Sequence, residues 1–465
     1  MSALPEQVSV VNVGLPLFAD ALRAQGVAVQ QVDWRIPAGG DLAAVAMLSR
    51  LYGDQERTVE TANAEVVRRL DSGKPQLVEV STVAQAVPGI AGRTLLHCGP
   101  AIGFGQVCDP LRRSMRAAVV AEGWAPDAEE AQRLLAGGDV ALQPANSHQA
   151  VVPMASAIGP TAPVFVVADG EGGTRCYAPV SQGPGEVAWF GRDTDAAIER
   201  LRFLRDVAGP ALRRIVRSAG PLDILSLAAQ GVSMGDDLHM RTQAATNLLV
   251  RTWLPQLAEL PGRQRGPMAR FLSGNHLFFL TLAMGAAKAL TLWAEQVSGS
   301  SIVTSMSRNG TTFGIKLAGS ADWHITDAPP ITDALYYSGY GPDDAAPDIG
   351  DSAVLELVGL GGPAAAGSPA VAAFLGGSMA DARRTTEAFR RICAGTSSRF
   401  TLPPLDFTGT PIGVDVRRVV ELGITPQITT GILHSSSGVG QIGAGVATAP
   451  LECFTAALGA LSARL

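Results

Sequence analysis

The pattern of apolar and polar positions opens with a β-branched run at Val8–Val13. It takes helical spacing over Leu17–Gln25, stops at Gly26 and alternates again over Val27–Trp34. This is the signature of a β-α-β unit and predicts a Rossmann-like start. The loop Asn12–Pro16 falls at the end of the first strand, where open α/β sheets place ligands, but without GxGxxG it gives no support to a dinucleotide. Helical spacing follows at Leu42–Leu51 and Thr58–Ser72, a strand at Gln76–Ala86, and helices at Asp109–Glu122 and Asp127–Ala136. Val164–Asp169, Arg175–Val180 and Val187–Phe190 read as strands of an antiparallel sheet.

From Thr194 the spacing is helical, with a break at Gly209–Pro210, and it stays so to about Val297. Within this stretch Met234–Leu254 is predicted to be one helix. His276–Trp293 is predicted to be another, buried in the core rather than a membrane, because Lys288 interrupts it and His276 and Glu295 flank it. Beyond Ser298, Gly, Ser, Thr and Pro rise and short strands dominate. The expected fold is therefore multi-domain α/β. Its parts are an N-terminal β-α-β domain (1–155), a strand-then-helix-rich middle (156–297) and a Gly-rich α/β C-terminal part (298–465).

Composition narrows this picture. The chain has 465 residues, 47% of them hydrophobic and 17% charged, which is enough apolar material for a large core without metals or disulfides. A net charge of −6 with no basic block argues against nucleic acid or an anionic membrane as partner and leaves small molecules and proteins. Cys98, Cys108, Cys176, Cys393 and Cys453 are scattered without CxxC spacing, as in a reduced cytoplasm. The N-terminus lacks the basic and long apolar regions of a signal peptide.

The richest candidate chemistry lies in GVSMGDDLHMRTQAATN, Gly231–Asn247. On one helix, Asp236, His239, Gln243 and Asn247 would share a face, and Asp237 and Arg241 would form an i,i+4 pair. An acid, an imidazole and two amides between apolar flanks suit acid–base work by Asp236, Asp237 and His239. The plain alternative is a helix N-terminus capped by Asp236 or Asp237.

Arg308, Asn309, Gly310 and Thr311 combine a fork, an amide and free backbone donors suited to a phosphate or carboxylate. An Asn-Gly hairpin turn explains the same residues. Asp348 and Asp351 around Gly350 could hold a divalent cation, or simply belong to a turn. The loop ILHSSSGVGQIGAG offers His434, Gln441 and Gly443, with glycines that can present N–H groups to an anion. In SGNH, Ser273 or Asn275 would cap the long apolar helix, with Asn275 also a candidate substrate contact. No resident cofactor is expected.

The motifs MGDDLH, GNHLFFL, SRNGTTFGI, PDIGDS, LDFTGTPIGVDV and GQIGAG, with the opening VVNVGLPLFADALRAQGVAVQQVDWRIPAGGD, resemble the YlbE/YahG-like family almost end to end. Where that family usually reads MGDECHNRN, this chain differs at Asp237, Leu238, Met240 and Thr242; where it commonly has a His-rich PCHHH-like segment, this chain reads PANSHQ, with His148 alone. The resemblance implies a subunit of an oxamate carbamoyltransferase of allantoin degradation, using carbamoyl phosphate and an oxamate-like acceptor. It also implies a partner subunit similar to acyl-CoA synthetase, and a homo-oligomer is expected. Two alternatives stay open: a non-catalytic scaffold or ligand-sensing subunit, and a hydrolase or ligase acting on another amide or ureido compound.

Overall fold

The computed structural model describes residues 8–32, 34–373 and 377–465. The start of the chain (1–7), from which the absence of a signal peptide was read, lies outside the described residues, as does Asp33 in the predicted second strand.

The β-α-β opening is present. Strands Ser9–Val13 and Ala28–Val32 pair in parallel around helix Pro16–Arg23. A two-stranded parallel sheet buries little, and here Val11, Val13, Leu17 and Phe18 all remain exposed.

The body of the protein is mixed α/β, built from several small sheets. An antiparallel sheet runs in the order Thr174–Pro179, Pro163–Asp169, Pro75–Thr82, Leu222–Asp223, so strands from both sides of residue 155 share it. Helix Phe278–Ala294 lies on this sheet and is buried along almost its whole length. Phe278 makes edge-to-face contacts with Phe165, Trp253 and Phe271 at centroid distances of 5.9, 6.2 and 5.9 Å. The expectation of a buried core helix holds, and no single helix among the described residues is long and apolar enough to cross a membrane. Its Lys288 is 3.4 Å from the Ser305 hydroxyl, and burial lowers the ammonium pKa.

Two further sheets frame the site. One runs in the order His324–Asp327, Thr312–Leu317, Val303–Asn309, Ile349–Gly350. The other runs in the order Ile331–Tyr336, Gln441–Thr448, Gln427–Leu433, all antiparallel.

Four local expectations need correction. Met234–Leu254 is not one helix: helix Ile224–Ser233 ends, residues 234–242 form an irregular turn, and a new helix runs over Gln243–Ala258. Periodicity could not reveal this break, because it is made by Gly235 and Leu238 at positive φ (94° and 64°) and by aspartates that draw off backbone donors. Val187–Phe190 ends in a 3₁₀ turn rather than a strand. At Gly209–Pro210 the chain does not break; a π-helical turn over Leu204–Ala208 accommodates the proline, and helix continues on both sides. Neither Ser273 nor Asn275 caps the core helix, which begins after Leu277 without a side-chain cap.

Candidate active site

The turn between the two middle helices is organised by its two aspartates. The buried Asp237 carboxylate accepts the N–H groups of His239, Met240 and Arg241 at 3.3, 3.1 and 2.8 Å, wrapping the chain around itself. Asp236 accepts from Ala244 and Ala245 at 3.2 and 2.8 Å, capping the following helix from outside it, and pairs with the Arg241 guanidinium at 2.7 Å. Such a cap contributes about 1 kcal/mol. Arg241 therefore pairs with Asp236, not with Asp237 as helical spacing predicted. Burial raises both carboxyl pKa values, opposed by these N–H groups. Gln243 and Asn247 do not join the cluster; they are exposed and bond each other at 3.3 Å.

Wrapping the backbone this way forces Leu238 to φ 64° with its side chain fully buried. A non-glycine residue there costs on the order of 1–3 kcal/mol, tolerated only where the surroundings over-determine it. The consequence is the placement of His239. Its Nδ1 lies 2.7 Å from Oε1 of Glu356, a carboxylate with no solvent exposure, and its Nε2 makes no protein hydrogen bond among the described residues. With Nδ1–H donating to the carboxylate, Nε2 keeps its lone pair and can accept a proton. Gly361 makes the pairing fit: it sits at φ 64°, donates its N–H to the Asp237 carbonyl at 2.7 Å, and a Cβ there would overlap Oε1 of Glu356.

His239 lines a cavity of about 620 Å³. The loop Pro184–Arg192 and the strands of the Ile331–Tyr336, Gln441–Thr448 and Gln427–Leu433 sheet complete its wall. Arg192 and Glu186 also line it. Arg192 donates to Oε1 of Glu186 at 3.0 Å and to the Val439 carbonyl at 2.6 Å, while its Nε–H is buried without a partner among the described residues. His276 also lines the cavity, and burial lowers its pKa, which favours the neutral ring. Such a cavity can hold a carboxylate-bearing molecule and take a proton from it.

Of the residues singled out in the sequence, His239 and Gln441 meet at this cavity. Asn275 is buried behind it, bonding Ser181 through both amide atoms and so fixing the start of the loop that carries Glu186 and Arg192. Gly443 packs in its strand, where a Cβ would overlap the Leu335 carbonyl. His434 accepts the N–H groups of Ser436 and Ser437 on Nδ1, each at 3.2 Å, and does not reach the cavity wall.

The Arg308 hairpin is different. Strands Val303–Asn309 and Thr312–Leu317 pair through the predicted Asn-Gly turn. The Asn309 side-chain oxygen, Oδ1, accepts the N–H groups of Thr311 and Thr312, and the Thr311 hydroxyl donates to the Gln106 carbonyl. Arg308 is wholly buried, forked onto Asp348 at 2.7 and 2.9 Å with its remaining NH₂ on the Gly350 carbonyl at 2.7 Å. Asp351 accepts the N–H groups of Gly99 and Val152 at 2.8 and 3.0 Å and the Ser307 hydroxyl. The Arg308 fork expected to hold a substrate anion is thus occupied by the protein's own Asp348, and Asp348 and Asp351 serve separate internal partners. Among the described residues no group of three or more His, Cys, Asp or Glu side chains is arranged to hold a metal ion.

The sequence pattern of the family described as oxamate carbamoyltransferase subunit AllG matches residues 140–352, a span that includes Glu186, Arg192 and His239. The chain is 37% identical over 410 residues to the oxamate carbamoyltransferase subunit AllG of Escherichia coli K12, covering 87% of this chain and 98% of that one. It is 32% identical to the uncharacterized protein YahG of the same organism, over 98% of both chains. The chain belongs to the AllG/YahG-like family. A crystal structure of a conserved protein of unknown function from Enterococcus faecalis V583 superposes with a TM-score of 0.85 at 33% identity, covering 87% of this chain and 98% of that chain.

Sequence reasoning missed Glu356, Glu186 and Arg192. Glu356 had a signal: it is the one charged residue in SAVLELVGLGG, and a lone acid in an apolar run is buried only if something pairs with it. Glu186 and Arg192 lie in a Gly/Pro-rich loop where charged residues are ordinary, so nothing local marked them.

Proposed function

We propose that this chain is the acceptor-holding subunit of a carbamoyltransferase, with an oxamate-like amide in the His239 cavity. The observation that carries the reading is the Glu356-backed imidazole whose free Nε2 belongs to a cavity shared with Arg192. Arg192 would hold the acceptor's carboxylate. As the acceptor nitrogen bonds to the carbamoyl carbon of carbamoyl phosphate, the carbon–oxygen bond to phosphate breaks, phosphate leaves with that electron pair, and the amide proton passes to Nε2. Glu356 stabilises the imidazolium so formed.

Among the described residues Arg192 is the one guanidinium of the wall and is shared with Glu186, so the cavity offers donors for one carboxylate and no second cation for a phosphate dianion. This supports a divided site, in which a partner subunit brings carbamoyl phosphate. Membership in a family that includes a subunit of a multi-subunit carbamoyltransferase supports partners too. So do the exposed apolar residues of the N-terminal β-α-β unit, a surface typical of an interface.

The test is turnover of oxamate and carbamoyl phosphate by the chain alone, with the E. coli AllG partner subunits added, and with His239→Gln in the same mixture. The expected result is activity only in the mixture and its loss in the variant. Turnover by the lone chain at an ordinary rate, about 1–10³ per second, would overturn the divided site, and full activity of His239→Gln would overturn the role of the cavity.

A further inference from the structure

Resting on the reading of this cavity as the acceptor site, we infer that the acceptor is larger than oxamate: an oxamic acid whose nitrogen carries an apolar or aromatic group about the size of a phenyl ring. The first ground is size. A cavity of about 620 Å³ has room for on the order of twenty waters at about 30 Å³ each. Oxamate and the carbamoyl phosphate that must meet it beside His239 are both small, and together they would still leave much of that space to solvent. The volume falls within the range, roughly 300–1,000 Å³, of sites that enclose a drug-sized molecule.

The second ground is the wall. Trp189, Phe190, Leu277, Leu280 and Val439 line it, with the adaptable thioethers of Met154 and Met240. A transferase for a small polar acid has no use for so much apolar surface beside its imidazole. Leu335 and Tyr337 also belong to this wall and are 50% and 55% exposed, whereas large apolar side chains elsewhere in the body are mostly buried. An apolar group on the ligand would cover them.

The third ground is charge. Among the described residues Arg192 is the wall's single guanidinium, and it is paired with Glu186. One carboxylate can share that fork with Glu186, whereas the several charges of a nucleotide's phosphates would have one guanidinium between them. An N-substituted oxamic acid keeps one N–H for His239 to accept, so the balance of the transfer is unchanged.

The experiment is calorimetric titration of the whole chain with oxamate and with N-phenyloxamate, repeated on Leu335→Ser and Arg192→Met. Leu335 is half exposed, so its replacement does not threaten the fold. N-Phenyloxamate is expected to bind on the order of 10- to 100-fold more tightly than oxamate. Leu335→Ser should shrink that ratio several-fold, and Arg192→Met should weaken both ligands together. Equal or tighter binding of oxamate would overturn the size inference and leave the acceptor site standing. Failure of both ligands to bind would overturn both, and a thermal melt of each variant separates lost contact from lost fold.

Discussion

The His239 turn and the Arg308 hairpin have the same ingredients: a cationic or titratable side chain, two aspartates, a glycine at positive φ and near-complete burial. They differ in what is left over. At the hairpin, both fork edges of Arg308 are taken by Asp348 and the Gly350 carbonyl, and the Asn309 amide is spent on its own turn. At the turn, Asp236 and Asp237 are spent on backbone, but His239 keeps one nitrogen free beside a cavity. The lesson is that a polar cluster is a site only to the extent that its members are not already satisfied. Burial and unusual residue types accompany both outcomes.

The sharpest way to break this comparison is to remove the free nitrogen. His239→Gln should lower turnover in the assembled complex by roughly 10²–10⁴-fold, with a melting temperature close to that of the parent. Glu356→Gln should fall in the same direction, because an amide holds the ring less well and does not stabilise its charge. Steady-state rates against thermal melts of both variants decide the matter; a rate unchanged in either would remove the pair from the chemistry.

Arg308→Met should do the opposite. It strands Asp348 in the interior without its counter-ion, so stability should drop by about 3–5 kcal/mol in denaturant titrations. Ligand affinity of the molecules that still fold should hardly change. A stable Arg308→Met protein that has lost oxamate binding would reverse the roles assigned to the two regions.

Gly361→Ala sharpens the turn's side of the comparison without touching a titratable group. The new methyl would overlap Oε1 of Glu356 and lies 3.2 Å from the His239 Cβ, at a φ that only glycine adopts freely. The pair must shift, and a displacement near 1 Å is worth about 10²-fold in rate. A crystal structure of the variant, set beside its kinetics, would show whether movement of the imidazole accounts for the loss.

How much of this was legible in the chain follows from what periodicity records. It marks elements whose apolar side chains repeat, so the β-α-β opening and the buried Phe278–Ala294 helix could be read directly. It is blind to a turn that side-chain carboxylates stabilise, and so Met234–Thr242 was read as helix. His239 was recognisable by its neighbours, whereas Glu356, 117 residues away, meets it only through tertiary packing. Arg308 looked free because sequence shows a donor and not its acceptor; Asp348, forty residues on, was visible as an acid but not as its partner.

The smallest expected effect is a slope in stability with pH, and it belongs to the hairpin. Burial pushes the Asp351 carboxyl up from 3.8 to about 6, against the pull of the Gly99 N–H, the Ser307 hydroxyl and the Val152 N–H. Because the folded value lies above the unfolded one, the folded protein holds the proton more tightly between those two pH values. Its contribution to stability is fully present below about 3.8 and is lost as pH rises through about 6. Asp351→Asn cannot titrate, so the stability of the parent relative to this variant should rise as pH is lowered from about 6 towards 3.8 and then level off. Denaturant titrations of both proteins at half-unit intervals would reveal the slope. The three donors that Asp351 accepts join the Gly99 loop, Val152 and the Val303–Asn309 strand, so the same titration reports on the frame that holds the hairpin in place. A difference independent of pH across that window would mean that Asp351 stays ionised in the core and that its hydrogen bonds outweigh its burial.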